Sequence, residues 1–252
     1  MLKLRFLSAA ALIAASTSAS ADLFASGDSN ILTFSAGTMP LANQAFFRNI
    51  SGGSRILIQD SATLANGYAI SLAGFYNGAG YTATVLASNQ PITDAALSGV
   101  DLLITYFPDD QYTSTEIAAV RSFLAGGHNV LVAGDNALYM STYNAYVNSL
   151  LAGVGSEMRL TSGPLVNGYQ TAQLRGPSSY LTGTAGFQYA ASSTVTGGLA
   201  LFATAGDGLN FLAVQAIPEP ETYQLMLAGI AVLGYSARRA TQRNARVQFA
   251  EA

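Results

Sequence analysis

Four aspartates carry most of the chemistry this sequence offers. Asp60, Asp109, Asp110 and Asp135 each follow an apolar run of the kind that forms a buried strand. If those runs lie side by side in one parallel sheet, their carboxylates meet at one edge. A hard divalent cation would find oxygen ligands there, or two acids would find a substrate between them. The same residues serve equally as helix caps and turn formers, because a short carboxylate accepts hydrogen bonds from nearby backbone N–H groups. The sequence leaves both readings open. Asp101 stands at the start of its run and cannot join the group. Other reactive groups are scarce. There is no cysteine, which removes thiolate nucleophiles, thiolate metal sites and disulfides together. The one histidine, His128, precedes an apolar run instead of following it. In an open α/β sheet that is the wrong end for a proton shuttle, so a Ser-His-Asp hydrolase is not expected.

The elements that must position the aspartates alternate in type. "RILIQD" (55–60) reads as a strand, and "NGYAISLAGFYNGAG" as a helix with Tyr68, Leu72, Phe75 and Tyr76 at helical spacing. "YTATVLAS" is a second strand, "PITDAALSG" a short connection, and "DLLITYFPDD" a third strand. "TSTEIAAVRSFLAGG" predicts a helix opened by a capping box, Thr113 with Glu116, and closed by Gly126-Gly127. "NVLVAGD" and "NALYMSTYNAYVNSLLAGVG" add a strand and a helix. This alternation predicts an α/β fold: a mostly parallel sheet with helices on both faces. From about residue 156 Gly, Ser and Thr dominate, and "GLALFATAGDGLNFLAVQ" reads as a β-hairpin that extends the sheet or packs at its edge. Phe46 and Phe47 are expected to dock a short helix within the less regular segment 22–54.

Charge is sparse, at 10% of residues, and unevenly placed. From Asp22 to Ile217 five arginines face eleven acids, a balance of −6. A body of that sign has no basic stripe for a phosphate backbone, so nucleic acid is excluded as a partner. "DSATLANG" has the hydroxyls of a flavin phosphate loop but also the composition of any loop, and no cofactor is expected. The 13 tyrosines suit stacking on sugars and suit a core equally well.

Both termini read as export signals. Lys3 and Arg5, the apolar run 6–15 and Ala19-Ser20-Ala21 have the order of a signal peptide with cleavage after Ala21, which implies the Sec translocon and signal peptidase. At the other end "IPEPETYQLMLAGIAVLGYSARR" places Pro218, Glu219 and Pro220 before an apolar stretch and an arginine cluster. As a helix, 217–237 would reach ~31 Å, enough to cross a bilayer, and Arg238 and Arg239 would hold its end in the cytoplasm. The two prolines keep the preceding backbone extended and accessible. This tripartite end resembles the PEP-CTERM sorting signal of Gram-negative bacteria. The resemblance implies export through the inner membrane, transient anchoring by the C-terminal helix, and cleavage near 218–220 by an exosortase. It also implies a final place at the cell surface or in a matrix of exopolysaccharide and biofilm.

The order of strands and helices over 55–155 resembles class I glutamine amidotransferase-like domains, which are flavodoxin-like. Working members carry a cysteine on a sharp turn after a central strand. The comparable turn here, Ala133-Gly134-Asp135-Asn136, has no nucleophile. The expectation is therefore a non-catalytic domain, with a cation-dependent hydrolase or ligand-binding domain built on the acidic strand ends as the alternative. The expected organisation is a signal peptide (1–21), a lead-in segment (22–54), the α/β domain (55–217), the sorting signal with its transmembrane helix (218–246) and a cytoplasmic tail (247–252).

Overall fold

Each apolar run forms a strand whose alternate side chains enter different cores. The computed structural model describes residues 21–32, 39–61, 67–163, 168–217, 229–232 and 235. Residues 21–217 form a unit of their own. Its strands are β1 (Ala21–Ser26), β2 (Arg55–Gln59), β3 (Thr82–Leu86), β4 (Leu102–Tyr106), β5 (Asn129–Ala133), β6 (Arg159–Thr161), β7 (Gln170–Thr171), β8 (Gln173–Leu174), β9 (Gln188–Tyr189), β10 (Thr194–Thr196), β11 (Leu199–Ala203) and β12 (Asn210–Ile217). Its helices are α1 (Leu41–Asn49), α2 (Tyr68–Gly78), α3 (Asp94–Leu97), α4 (Ser114–Ala125) and α5 (Ala137–Gly153).

The main sheet has eight strands in the order β3-β2-β4-β5-β1-β12-β11-β8. The first five are parallel, and the last three continue antiparallel, each to its neighbour. Ile56, Ile58, Leu102, Ile104 and Leu131 face one core with Phe46 and Phe47 of α1 and Leu72 and Tyr76 of α2. Leu57, Leu103, Val130 and Val132 face the other, with Leu97, Val120, Phe123, Leu124, Val147 and Leu150 of α3, α4 and α5. Helices thus cover both faces, and the strands need apolar residues on both sides, which is why they read as continuous runs. The expected capping box closes α4: Thr113 Oγ1 accepts from the Glu116 amide at 3.2 Å, and Glu116 Oε2 accepts from the Thr113 amide at 2.9 Å.

The segment expected to lead into the domain is part of the sheet instead. β1 lies between β5 and β12, with Leu23 and Ala25 in one core and Phe24 in the other. Ala21 pairs with Ile217, so both ends of this unit leave the sheet at the amino edge of the parallel strands. The expected cleavage after Ala21 would remove one sheet residue and leave Asp22, whose amide donates to Asn129 Oδ1 at 3.0 Å.

Among the described residues no helix is long and apolar enough to cross a membrane. Most of the span expected over 217–237 lies outside them; Gly229–Val232 and Tyr235 are described, and they are helical. Residues 1–20, Pro218, Glu219, Pro220, Arg238 and Arg239 also lie outside the described residues.

Candidate functional site

β2 connects through α2 to β3 on one side, whereas β4 connects through α4 to β5 on the other. Between β2 and β4 the connections therefore part, and a crevice opens outside the strands' carboxyl ends; this is where ligands bind in open α/β sheets. A cavity of about 220 Å³ lies there. Gln59 and Asp60 line it from the end of β2, residues 88–91 from beyond β3, and residues 108–113 with Glu116 from the turn after β4 and the start of α4. Asp60, Asp109 and Asp110 thus do come together, and among the described residues no lysine or arginine lines the cavity with them.

The polar groups are held from below. Thr105 Oγ1, fully buried in β4, donates to Gln59 Oε1 at 2.8 Å and lies 2.6 Å from the Tyr112 hydroxyl. A threonine hydroxyl has one proton. Since Thr105 gives it to Gln59, Tyr112 must donate to Thr105. Burial raises the pKa of the Tyr112 phenol and keeps its proton in place. Asp60 Oδ1 accepts from the Ser61 amide at 2.9 Å and from the Tyr106 hydroxyl at 3.1 Å. Ser61 Oγ lies 3.4 Å from Asp109 Oδ1.

The turn that carries Asp109 and Asp110 is bent by Phe107, at φ 42°, the only non-glycine residue in the left-handed region among the described residues. A bulky side chain in that conformation costs about 1–3 kcal/mol and survives only where packing enforces it. Here the phenyl ring is buried against Tyr106 and Tyr143, at centroid distances of 6.5 and 5.7 Å, and Pro108 follows it. The sharp turn expected at Ala133-Gly134-Asp135-Asn136 contains no left-handed residue; the strained turn lies one strand earlier, and its residue is apolar.

Asp135 departs from the expected group. It belongs to a second acidic site with Asp28, which the sequence reading passed over. Asp28 Oδ1 accepts from the Asn30 amide and from Asn30 Nδ2, both at 2.8 Å, and Oδ2 accepts from the Ala190 amide at 2.7 Å. Asp135 Oδ2 accepts from Ser29 Oγ at 2.6 Å and from Asn30 Nδ2 at 3.3 Å, while Oδ1 accepts from the Asn136 amide at 2.6 Å. One Asn30 nitrogen therefore bridges the two carboxylates. Burial and the charge of Asp135 push the Asp28 carboxyl up to about 7, and burial raises Asp135 as well. The pair is closed, with Asp28 fully buried, and it ties β1, β5 and the turn after β9 together. Gly27 permits this closure, since a Cβ there would stand 2.1 Å from the Ser193 carbonyl oxygen. The cap of α5 is Asn136, not Asp135: its side chain accepts from the Leu138 amide at 2.9 Å.

The four expected aspartates are thus divided between two places. Among the described residues no three of His, Asp and Glu are arranged to hold a metal ion. His128 stays at the amino edge, stacked on Phe123 at 4.7 Å.

No curated protein and no solved structure matches the chain. The family described as the PEP-CTERM protein-sorting motif matches residues 216–240, the segment with Pro218-Glu219-Pro220, the apolar stretch and the first arginines. That motif marks the chain as an exported protein targeted to an exosortase, with its destination at the cell surface or outside the cell.

Proposed function

We propose that this is a surface or extracellular-matrix protein of a Gram-negative bacterium, associated with exopolysaccharide and biofilm, whose α/β body is non-catalytic. The sorting motif at 216–240 carries the reading. On this reading the Sec translocon and signal peptidase deliver the chain across the inner membrane and release Asp22 as its first residue. The C-terminal helix holds it transiently, with Arg238 and Arg239 inside, until an exosortase cuts near Pro218-Glu219-Pro220. The body is a silent counterpart of amidotransferase-like domains. Three observations support that. The strained residue after β4 is Phe107, the carboxylate of Asp135 is spent on hydrogen bonds, and the chain has no cysteine. A fold does not carry its function when the site residues are gone.

Intact mass of the protein recovered from a host with an exosortase is expected to begin at Asp22 and to lack everything beyond the Pro-Glu-Pro segment. A surface form that keeps residues 238–252 would overturn the sorting reading. The same material is expected to show no glutaminase or esterase turnover above buffer. Turnover that disappears in Asp135→Ala would make the body an enzyme.

A further inference from the structure

Gln59 is the feature of the switch-point cavity that the structure leaves unfinished. The residue is 7% exposed, yet only half of its amide is used. Its Oε1 is taken by Thr105, and Nε2 has no partner among the described residues. Nor is Nε2 sealed away, because among the described residues the buried and unpartnered side-chain atoms are Arg175 Nε and Ser192 Oγ. The hydroxyl relay from Tyr112 through Thr105 holds the carbonyl of the amide, which leaves the Nε2 end to donate in the cavity that Gln59 lines. A nearly buried donor that reaches a cavity takes its acceptor from what the cavity holds, water or a ligand.

Around that donor the walls accept. Asp60, Asp109 and Asp110 bring carboxylate oxygens to the cavity, and among the described residues no cationic side chain lines it with them. A ligand must then offer an acceptor to Gln59 and donors to the aspartates within a small space. A phosphate or carboxylate meets the first demand and is repelled by the second. A bare cation or an amine meets the second and leaves Gln59 unpaired. A hydroxyl group both donates and accepts, and adjacent hydroxyls on one ring meet both demands together. The volume of about 220 Å³ equals that of roughly seven waters, a space on the scale of one sugar ring.

We propose that the cavity between β2 and β4 is a binding subsite for a single uncharged sugar ring, with Gln59 donating to a ring hydroxyl and Asp109 and Asp110 accepting from its neighbours. This deepens the surface and matrix reading, on which it rests only for the source of the sugar: a unit of an extracellular glycan.

Saturation-transfer NMR on the full-length chain tests it with neutral methyl glycosides of glucose, galactose and mannose, with the reducing sugars, and with glucuronate, glucosamine and Ca²⁺ as contrasts. At least one neutral methyl glycoside is expected to bind in the millimolar range and to shift the Gln59 side-chain NH₂ resonances. Its blocked anomeric oxygen stands for a sugar within a chain, so binding of reducing sugars alone would overturn the glycan source. Gln59→Leu and Asp109→Asn are each expected to weaken binding about tenfold with the melting temperature checked alongside. Should Gln59→Leu unfold, Asp110→Asn on the exposed turn carries the same expectation. The proposal is overturned if no neutral glycoside binds, if glucuronate or glucosamine binds as tightly, if Ca²⁺ alone shifts the Gln59 amide, or if the folded variants bind like the parent chain. Such a failure leaves the mass result, and with it the sorting reading, untouched.

Discussion

Replacing Phe46 with alanine is expected to destabilise the body by about 3–5 kcal/mol, the range for emptying a buried phenyl site. Phe46 sits on α1 with no exposed surface, and its ring meets four others edge to face. The centroid distances are 6.2 Å to Phe24 of β1, 5.6 Å to Phe47, 5.6 Å to Phe187 and 5.5 Å to Phe202 of β11. Those partners come from a parallel strand, an antiparallel strand, a loop and the helix itself. No single one can move in to fill the space without leaving the others. Edge-to-face pairs add about 0.5–1.5 kcal/mol each beyond burial, which places the loss at the upper end of the range. For a unit of this size each kcal/mol lowers the melting temperature by about 2–4 °C, so a drop of roughly 10 °C or more is expected. Phe46→Leu is expected to recover about half. Urea midpoints for the three proteins decide it, and a loss below about 1 kcal/mol for the alanine variant would mean that α1 is not docked as described.

Acidification from pH 7.5 to pH 5 is expected to raise the melting temperature by several degrees. The cause is the Asp28 and Asp135 pair. A carboxyl pushed up to about 7 in the folded state keeps a proton there that the unfolded chain, with an ordinary value near 3.9, releases. Between those two values the folded state binds more protons, so stability falls as pH rises through the window and is greatest at its acid end. Asp135 is raised too and acts in the same direction. Asp207, lowered by its hydrogen bond from Thr204, titrates below the window and does not oppose the trend within it. Each pH unit contributes at most about 1.4 kcal/mol per proton retained. Asp28→Asn is expected to flatten the profile while lowering stability throughout, because an amide turns one NH₂ toward donors that the carboxylate now satisfies. Melting curves across pH 4.5–8 check both statements; a wild-type profile that rises with pH would show that the pair is ionised and comfortable.

Much of this architecture was legible. The runs that became β2, β4 and β5 are apolar on both sides because helices lie over both faces, and Thr113 with Glu116 marked the start of α4 from spacing alone. What escaped was β1. Ala21–Ser26 straddles the expected cleavage site and is short, with small residues at half its positions, so it looked like the start of a lead-in segment. That omission hid the second acidic site. Asp135 follows β5 and Asp28 follows β1, and only the adjacency of those two strands makes them neighbours. The one available signal was the likeness of Gly27-Asp28-Ser29-Asn30 to Gly134-Asp135-Asn136, two small polar turns after apolar runs. Gln59 escaped for a different reason. A glutamine at the end of a strand is unremarkable until the partners of both its amide atoms are known.

The pairing of Ala21 with Ile217 has a mechanical consequence. On the proposed processing, an attachment through the segment after Ile217 would leave from the amino edge of the parallel strands, whereas the cavity opens at the carboxyl edge. A pull between a bound ligand and the point of attachment therefore runs along the strands. Hydrogen bonds between β12 and its neighbours lie across that direction, so the load shears the whole ladder at once instead of peeling it one bond at a time. Attached and loaded in that way, the domain would be strung in the orientation in which a sheet resists force best.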